Sequence, residues 1–154
     1  MQQTQDFRIR YVQEKDLPDI LRMVGEVFKY IYPEDQVPEE KIKELFNKAI
    51  ENDGHTGIIL VNQEDKAKGY IFASLNELYF HKNNIAICLS IWVDEDCRGH
   101  SLDMVRALES WARYKGADHL LLSMFEGLTP KGADKIFNRF GFKLKEKQYW
   151  KDLV

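Results

Sequence analysis

The stretch IAICLSIWVDEDCRGHSLDMVRALESWARYKGA, residues 85–117, holds the most apolar run of the chain, a short charged turn and an amphipathic segment. Ile85 to Val93 lacks the alternation of a half-exposed strand, so it reads as a central strand covered on both faces. Leu102, Val105, Leu108, Trp111 and Ala112 recur at three- and four-residue steps, the buried stripe of a helix from about Ser101 to Lys115. Gly116 is placed as its C′ residue. Between strand and helix lies a turn containing Arg98-Gly99. A helix N-terminus offers unpaired N–H groups and the positive end of the helix dipole, and a glycine before it lets backbone approach a ligand closely. Strand, turn and helix together therefore suit an anion such as a pyrophosphate.

Upstream, FRIRYV (Phe7 to Val12) alternates apolar and polar residues and reads as a first strand. Asp16 follows as a helix N-cap with Pro18 in the first turn. Leu17, Ile20, Leu21, Val24, Val27, Phe28 and Ile31 form one buried helical face, and Pro33 lies past its end. Pro38 starts a second helix with the stripe Ile42, Leu45, Phe46, Ala49 and Ile50, closed by Asp53-Gly54. Thr56 to Val61 and Ala67 to Leu75 read as a hairpin about the turn NQEDK, and a polar connection around His81 leads to Ile85. Downstream, HLLLSMF is a further strand. Thr129-Pro130 caps a helix with apolar positions Ala133, Ile136, Phe137 and Phe140, ended by Gly141, and Phe142 to Lys151 reads as a terminal strand or strand pair. The order β-α-α-β-β-β-α-β-α-β implies one α/β layered domain over residues 1–154 about a central sheet, with residues 1–6 a frayed tail.

A chain of 154 residues fits one domain. At that size it buries roughly 70% of its unfolded surface and needs no disulfide or structural metal. The net charge of −3 argues against a sequence-independent nucleic-acid binder. No apolar run approaches the roughly 18 residues of a membrane span, and MQQTQDFRIR has no apolar core of a signal peptide, so a cytoplasmic protein is expected. Cys88 reads as an inert buried thiol; Cys97, in the turn, reads as the more reactive one. His55, His81, His100 and His119 show no metal-ligand spacing, and no metal is expected. No P-loop, nucleophile elbow or dinucleotide fingerprint occurs. Trp92, Trp111 and Trp150 read as core anchors.

Residues 85–117 resemble the acetyl-CoA-binding motif of the GNAT superfamily of N-acetyltransferases: a strand, then Arg/Gln-x-x-Gly-x-Gly/Ala, then a helix. The stretch GADKIFNRFGFKLKEKQYWKDL (132–153) resembles the second signature of that family, and IRYVQEKDLPDILRMV (9–24) its first strand and helix. The resemblance implies a mixed central sheet with helices on both faces and a V-shaped opening beside the central strand. Backbone groups of Ile91, Trp92 and Val93 would hold the pantetheine arm, and those of Arg98, Gly99, His100, Ser101, Leu102 and Asp103 the pyrophosphate. It further implies acetyl-CoA as co-substrate, direct attack by a primary amine of a small molecule, peptide or protein, and a homodimer as one assembly state. The 98–117 helix most resembles divergent, phage-encoded members.

Ser101 and Asp103 stand where the motif has small residues. Ser101 is small and a good N-cap. A carboxylate at Asp103, ~6 Å from a phosphate charge, would cost about 3 kcal/mol at an effective dielectric of ~20, unless it turns outward. Phe137 replaces a tyrosine that protonates the leaving thiolate in many relatives, so Tyr149, Tyr79 and Ser123 are candidate acids. Glu77, then Glu126, are candidate bases. The connection FKYIYPEDQVPEE (28–40), with Tyr30, Tyr32, Glu34 and Asp35, is the candidate acceptor wall. A GNAT-like fold kept as a binding module without turnover is the alternative.

Overall fold

A computed structural model of the chain describes residues 6–51, 54–78, 83–125 and 131–154. The chain divides into two compact units, residues 1–123 and 124–154. Tyr79, His81, Glu126, Asp53 and the Thr129-Pro130 cap lie outside the described residues.

The first unit runs β1 (Arg8–Tyr11), α1 (Leu17–Ile31), α2 (Glu39–Glu51), β2 (His55–Val61), β3 (Ala67–Glu77), β4 (Asn84–Val93), α3 (Ser101–Tyr114) and β5 (His119–Leu121). The five strands form one mixed sheet in chain order. β1 to β4 pair antiparallel and β5 lies parallel to β4. The fold is thus α/β, as the element order implies, with the mixed sheet that the resemblance implies. The hairpin turn is built by Asn62, whose side-chain oxygen accepts from the N–H groups of Glu64 and Lys66 while Asp65 takes a positive φ.

Alternate strand residues serve opposite faces. Ile59, Val61, Tyr70 and Phe72 share a core with Ile20, Met23 and Val24 of α1 and Phe46 and Ala49 of α2. Ile58, Leu60, Ile71 and Ala73 alternate with these, outside that cluster, and are equally buried. α3 packs on β2 and β3 with Met104, Leu108 and Trp111 buried. Gly69 lets α3 approach: a Cβ there would meet Met104 Sδ at 3.3 Å and the Trp92 carbonyl at 3.2 Å. α3 ends as expected, with Gly116 at φ +77° donating to Arg113 O and Ala117 donating to Ala112 O.

In the second unit, α4 (Ala133–Arg139) ends at Gly141 in the left-handed region. The expected strand from Phe142 to Lys151 does not form. Residues 142–154 are without regular structure, and Leu144, Tyr149, Trp150 and Leu153 are exposed. A strand needs a neighbour for its backbone groups, and no ladder to this segment exists among the described residues. HLLLSMF likewise shortens to His119–Leu121. Trp150 is no core anchor; its indole N–H donates to Asp152. Trp111 is one, and Trp92 packs partly buried against the α1–α2 core.

Candidate functional site: the open edge of β4 and the adjoining turn

β5 pairs with β4 only over Ile85, Ala86 and Ile87, whereas β4 continues to Val93. From Cys88 to Val93 the outer edge of β4 has no strand against it among the described residues. Strand backbone groups point alternately to the two sides, so every second residue of this stretch aims its N–H and C=O at the outer edge, where Val93 O accepts from Arg98. A bulge lies where the opening begins. Phe72 faces Ser90 and Ala73 faces Cys88, which leaves Leu89 as the extra residue. A bulge bends its strand and re-aims what it carries. Ile91, Trp92 and Val93 belong to this stretch of β4.

Val93 leads directly into the turn. Glu95–His100 is a 3-10 helix, and α3 begins at Ser101 with His100 at the N-cap position. Ser101 does not cap: its hydroxyl donates to the Arg98 carbonyl at 2.8 Å. The Ser101 N–H also donates to Arg98 O, so the 3-10 turn takes up the first donor of α3, and space around Gly99 is open. Arg98 folds back, with Nε donating to Val93 O at 3.5 Å and its guanidinium carbon 5.5 Å from the centre of the Trp92 ring. The His100 ring packs tilted against Phe7, centroids 4.5 Å apart.

Two of the four acidic residues of this region, Asp94 and Asp103, are paired with arginines. Arg22 of α1 grips Asp94 with both Nη atoms (3.1 and 3.0 Å), and Nη2 also donates to Ala67 O. Asp94 raises the pKa of Arg22 in return, by hydrogen bonding first. The Trp92 indole N–H donates to the same Asp94 at 3.1 Å. Asp103 turns outward, 54% exposed, and pairs with Arg106 at 3.4 Å. That exposed pair is worth at most about 1 kcal/mol, but it directs the carboxylate away from the helix start. The Arg22–Asp94–Trp92 tie has no signature in the sequence, since Arg22 and Asp94 come from different elements.

Tyr70 and Ser90, also unforeseen, form a hydroxyl pair at 2.9 Å. Burial, first, pushes the Tyr70 phenol up to about 12 and keeps it neutral. Ser90 is half-buried and follows the bulge residue directly, on the α1–α2 face with Phe72. Glu77, by contrast, ends β3 opposite Asn84. It is four residues beyond Ala73 at the bulge, or ~14 Å at strand rise. Tyr149, 91% exposed, belongs to the second unit, as does Phe137, whose ring lies edge-on to Phe142. Ser123 sits just past β5.

Cys97 is not the accessible thiol its place in the turn suggests. It is 1% exposed, and desolvation, followed by Asp96 and Asp94, pushes it up to about 11. Burial pushes Cys88 up to about 12. Neither thiol is expected to react with Ellman's reagent at pH 8 in the native chain, and both are expected to react in denaturant. Rapid labelling of one native thiol would contradict this burial.

The connection between α1 and α2 folds back to line an open pocket of about 400 Å³ with Phe28, Tyr32, Asp35, Gln36 and Pro38. Tyr30 points to solvent. Phe28 and Val37 pack on the same core cluster as Trp92, so this connection covers the face on which Ser90 and Trp92 lie.

No protein-family model and no curated protein matches the chain. Solved structures match it over nearly its whole length. A glucosamine-6-phosphate N-acetyltransferase from Arabidopsis thaliana superposes with a TM-score of 0.74 at 15% identity, over 97% of this chain and 99% of that one. A GNAT family acetyltransferase from Staphylococcus aureus gives 0.69 at 12% identity, over 96% and 98%. The fold is that of the GNAT acetyltransferases. An aminoglycoside N-acetyltransferase solved in complex with CoA gives 0.72 at 15% identity, over 100% of this chain and 99% of that one. At these identities the likeness establishes the GNAT fold and no more. No described helix is long and apolar enough to cross a membrane.

Proposed function

We propose that the chain is an acyl-CoA-dependent N-acetyltransferase of the GNAT superfamily that acetylates a primary amine. The observation that carries this reading is the edge of β4 from the bulge at Leu89 to Val93, without a strand against it among the described residues, running into the turn and the start of α3. Its support comes from the shared fold, one member of which is solved with CoA.

The residues present fit acetyl-CoA. Within Ile91, Trp92 and Val93, the backbone groups that face away from β3 suit the amides of a pantetheine arm, which pair as a strand would. The positive end of the α3 dipole, with Arg98 and His100 beside it, suits a pyrophosphate, the Ser101 N–H being already held by Arg98 O. The Arg22–Asp94 pair and the outward turn of Asp103 reduce the negative charge this anion would meet. Bound acetyl-CoA would supply an activated acyl thioester: attack by a neutral acceptor nitrogen would form the amide as the C–S bond breaks, with CoA leaving as thiolate and the nitrogen's proton passing to water or to the thiolate.

The chain's own part is to hold and orient. Ser90, fixed by Tyr70, sets a hydroxyl next to the bulge, where it can bond the acceptor or a water that takes the acceptor's proton. Glu77 can serve in this role only through a chain of waters. β4 carries no carboxylate. That favours a second reading, a GNAT-like fold kept as a binding module without turnover. Mixing the protein with acetyl-CoA and a panel of amines, and following CoA thiol release with Ellman's reagent, separates the two. Saturable release with at least one amine is expected; release at the hydrolysis background with every amine, despite acetyl-CoA binding, would favour the module.

A further inference from the structure

We propose that the pocket of Phe28, Tyr32 and Asp35 binds a non-reacting ammonium group, so that the acceptor is an aliphatic diamine or polyamine. This rests on the transferase reading above and narrows its substrate class.

Three features point to an ammonium ligand. The pocket has aromatic walls: the Phe28 and Tyr32 rings lie 5.3 Å apart and tilted by 49°. An ammonium over such faces is attracted by the ring quadrupoles, the more so when partly desolvated. Asp35 lines the same pocket, and neither it nor Glu34 has a cationic partner among the described residues. Its own backbone is fixed, the Asp35 N–H donating to Tyr32 O at 3.0 Å, which holds carboxylate and ring on one short turn. The surrounding charge is one-sided. Residues 26–40 carry Glu26, Glu34, Asp35, Glu39 and Glu40 against Lys29; Glu26 is paired with Lys29 and Glu40 with Lys43, which leaves Glu34, Asp35 and Glu39 without a cationic partner among the described residues. The potential there attracts cations and repels anionic acceptors such as sugar phosphates.

The second amine follows from acid–base chemistry. An ammonium beside a carboxylate keeps its proton, because the opposite charge favours the charged form. Such a nitrogen has no lone pair to attack a thioester. The group held by Asp35 is therefore not the one acetylated, and the acceptor needs another nitrogen, joined to the first by an apolar spacer that the aromatic walls accommodate.

The test uses the full chain without acetyl-CoA. Spermidine, 1,4-diaminobutane, butylamine and glucosamine 6-phosphate are titrated calorimetrically into the wild type, Asp35→Asn and Tyr32→Leu, with circular dichroism confirming that each variant is folded. Saturable spermidine binding is expected. It should be at least 10-fold weaker in Asp35→Asn, weaker again at 0.5 M salt, and weakened in Tyr32→Leu. Butylamine and glucosamine 6-phosphate should bind at least 10-fold more weakly than spermidine. No spermidine binding, or binding that neither substitution alters, would overturn the proposal. Because acetyl-CoA is left out, the outcomes separate: spermidine binding in a chain that does not bind acetyl-CoA would refute the transferase and keep the cation site. Acetyl-CoA binding without spermidine binding would refute the substrate class alone.

Discussion

Arg98→Glu is expected to weaken acetyl-CoA binding about 100-fold. The substitution reverses a charge next to the start of α3. At ~6 Å and an effective dielectric of ~20, each unit of charge changes the interaction with one phosphate charge by about 3 kcal/mol. Salt screening cuts the sum over two units to roughly half. Little folding energy is at stake, since Arg98 makes one long hydrogen bond to Val93 O and one ring contact with Trp92. Asp103→Asn is the matched control. Its carboxylate already faces outward toward Arg106, so neutralising it should change affinity by less than about 3-fold. A large gain in Asp103→Asn would mean that the acid, and not the turn, governs the anion site.

Asp16→Ala is expected to lower stability by about 3 kcal/mol, the range for a buried ion pair broken on one side. Asp16 is 2% exposed and accepts two bonds from Arg10, at 2.8 and 2.9 Å, and one from the Gln13 N–H at 2.8 Å. Asp65, which also accepts from Arg10, retains part of that cation's partnership. This arrangement fastens the exit of β1 to the start of α1. It differs from the expected cap: Asp16 stands at the N-cap position, but its side chain turns back to Gln13 and Arg10 instead of capping α1. Urea unfolding of the two proteins checks the value, and a difference under 1 kcal/mol would contradict the assigned role.

Helical periodicity made α1 and α3 legible, and Gly116 marked the end of α3, because an amphipathic stripe and a left-handed glycine are local facts. The hairpin of β2 and β3 was legible for the same reason: Asn62 to Lys66 closes on itself. The bulge at Leu89 was hidden, since a strand buried on both faces shows no alternation whose phase could slip. Arg22 and Asp94 meet only through the packing of α1 across the sheet, and Tyr70 and Ser90 only through pairing of β3 with β4; no spacing announces either. The acceptor-side aromatics and acids were visible as a composition. That Tyr32 and Asp35 line a pocket while Tyr30 faces solvent depended on how the connection folds back. The terminal strand from Phe142 to Lys151 failed because a short segment of sequence does not specify the neighbour that a strand requires.

Isothermal titration of the purified chain with acetyl-CoA and, separately, with CoA at moderate salt tests the open β4 edge and the α3 turn most directly. One-site saturable binding of both ligands in the micromolar range is the predicted result. No heat of binding at millimolar concentrations of either would contradict an acyl-CoA site at this edge.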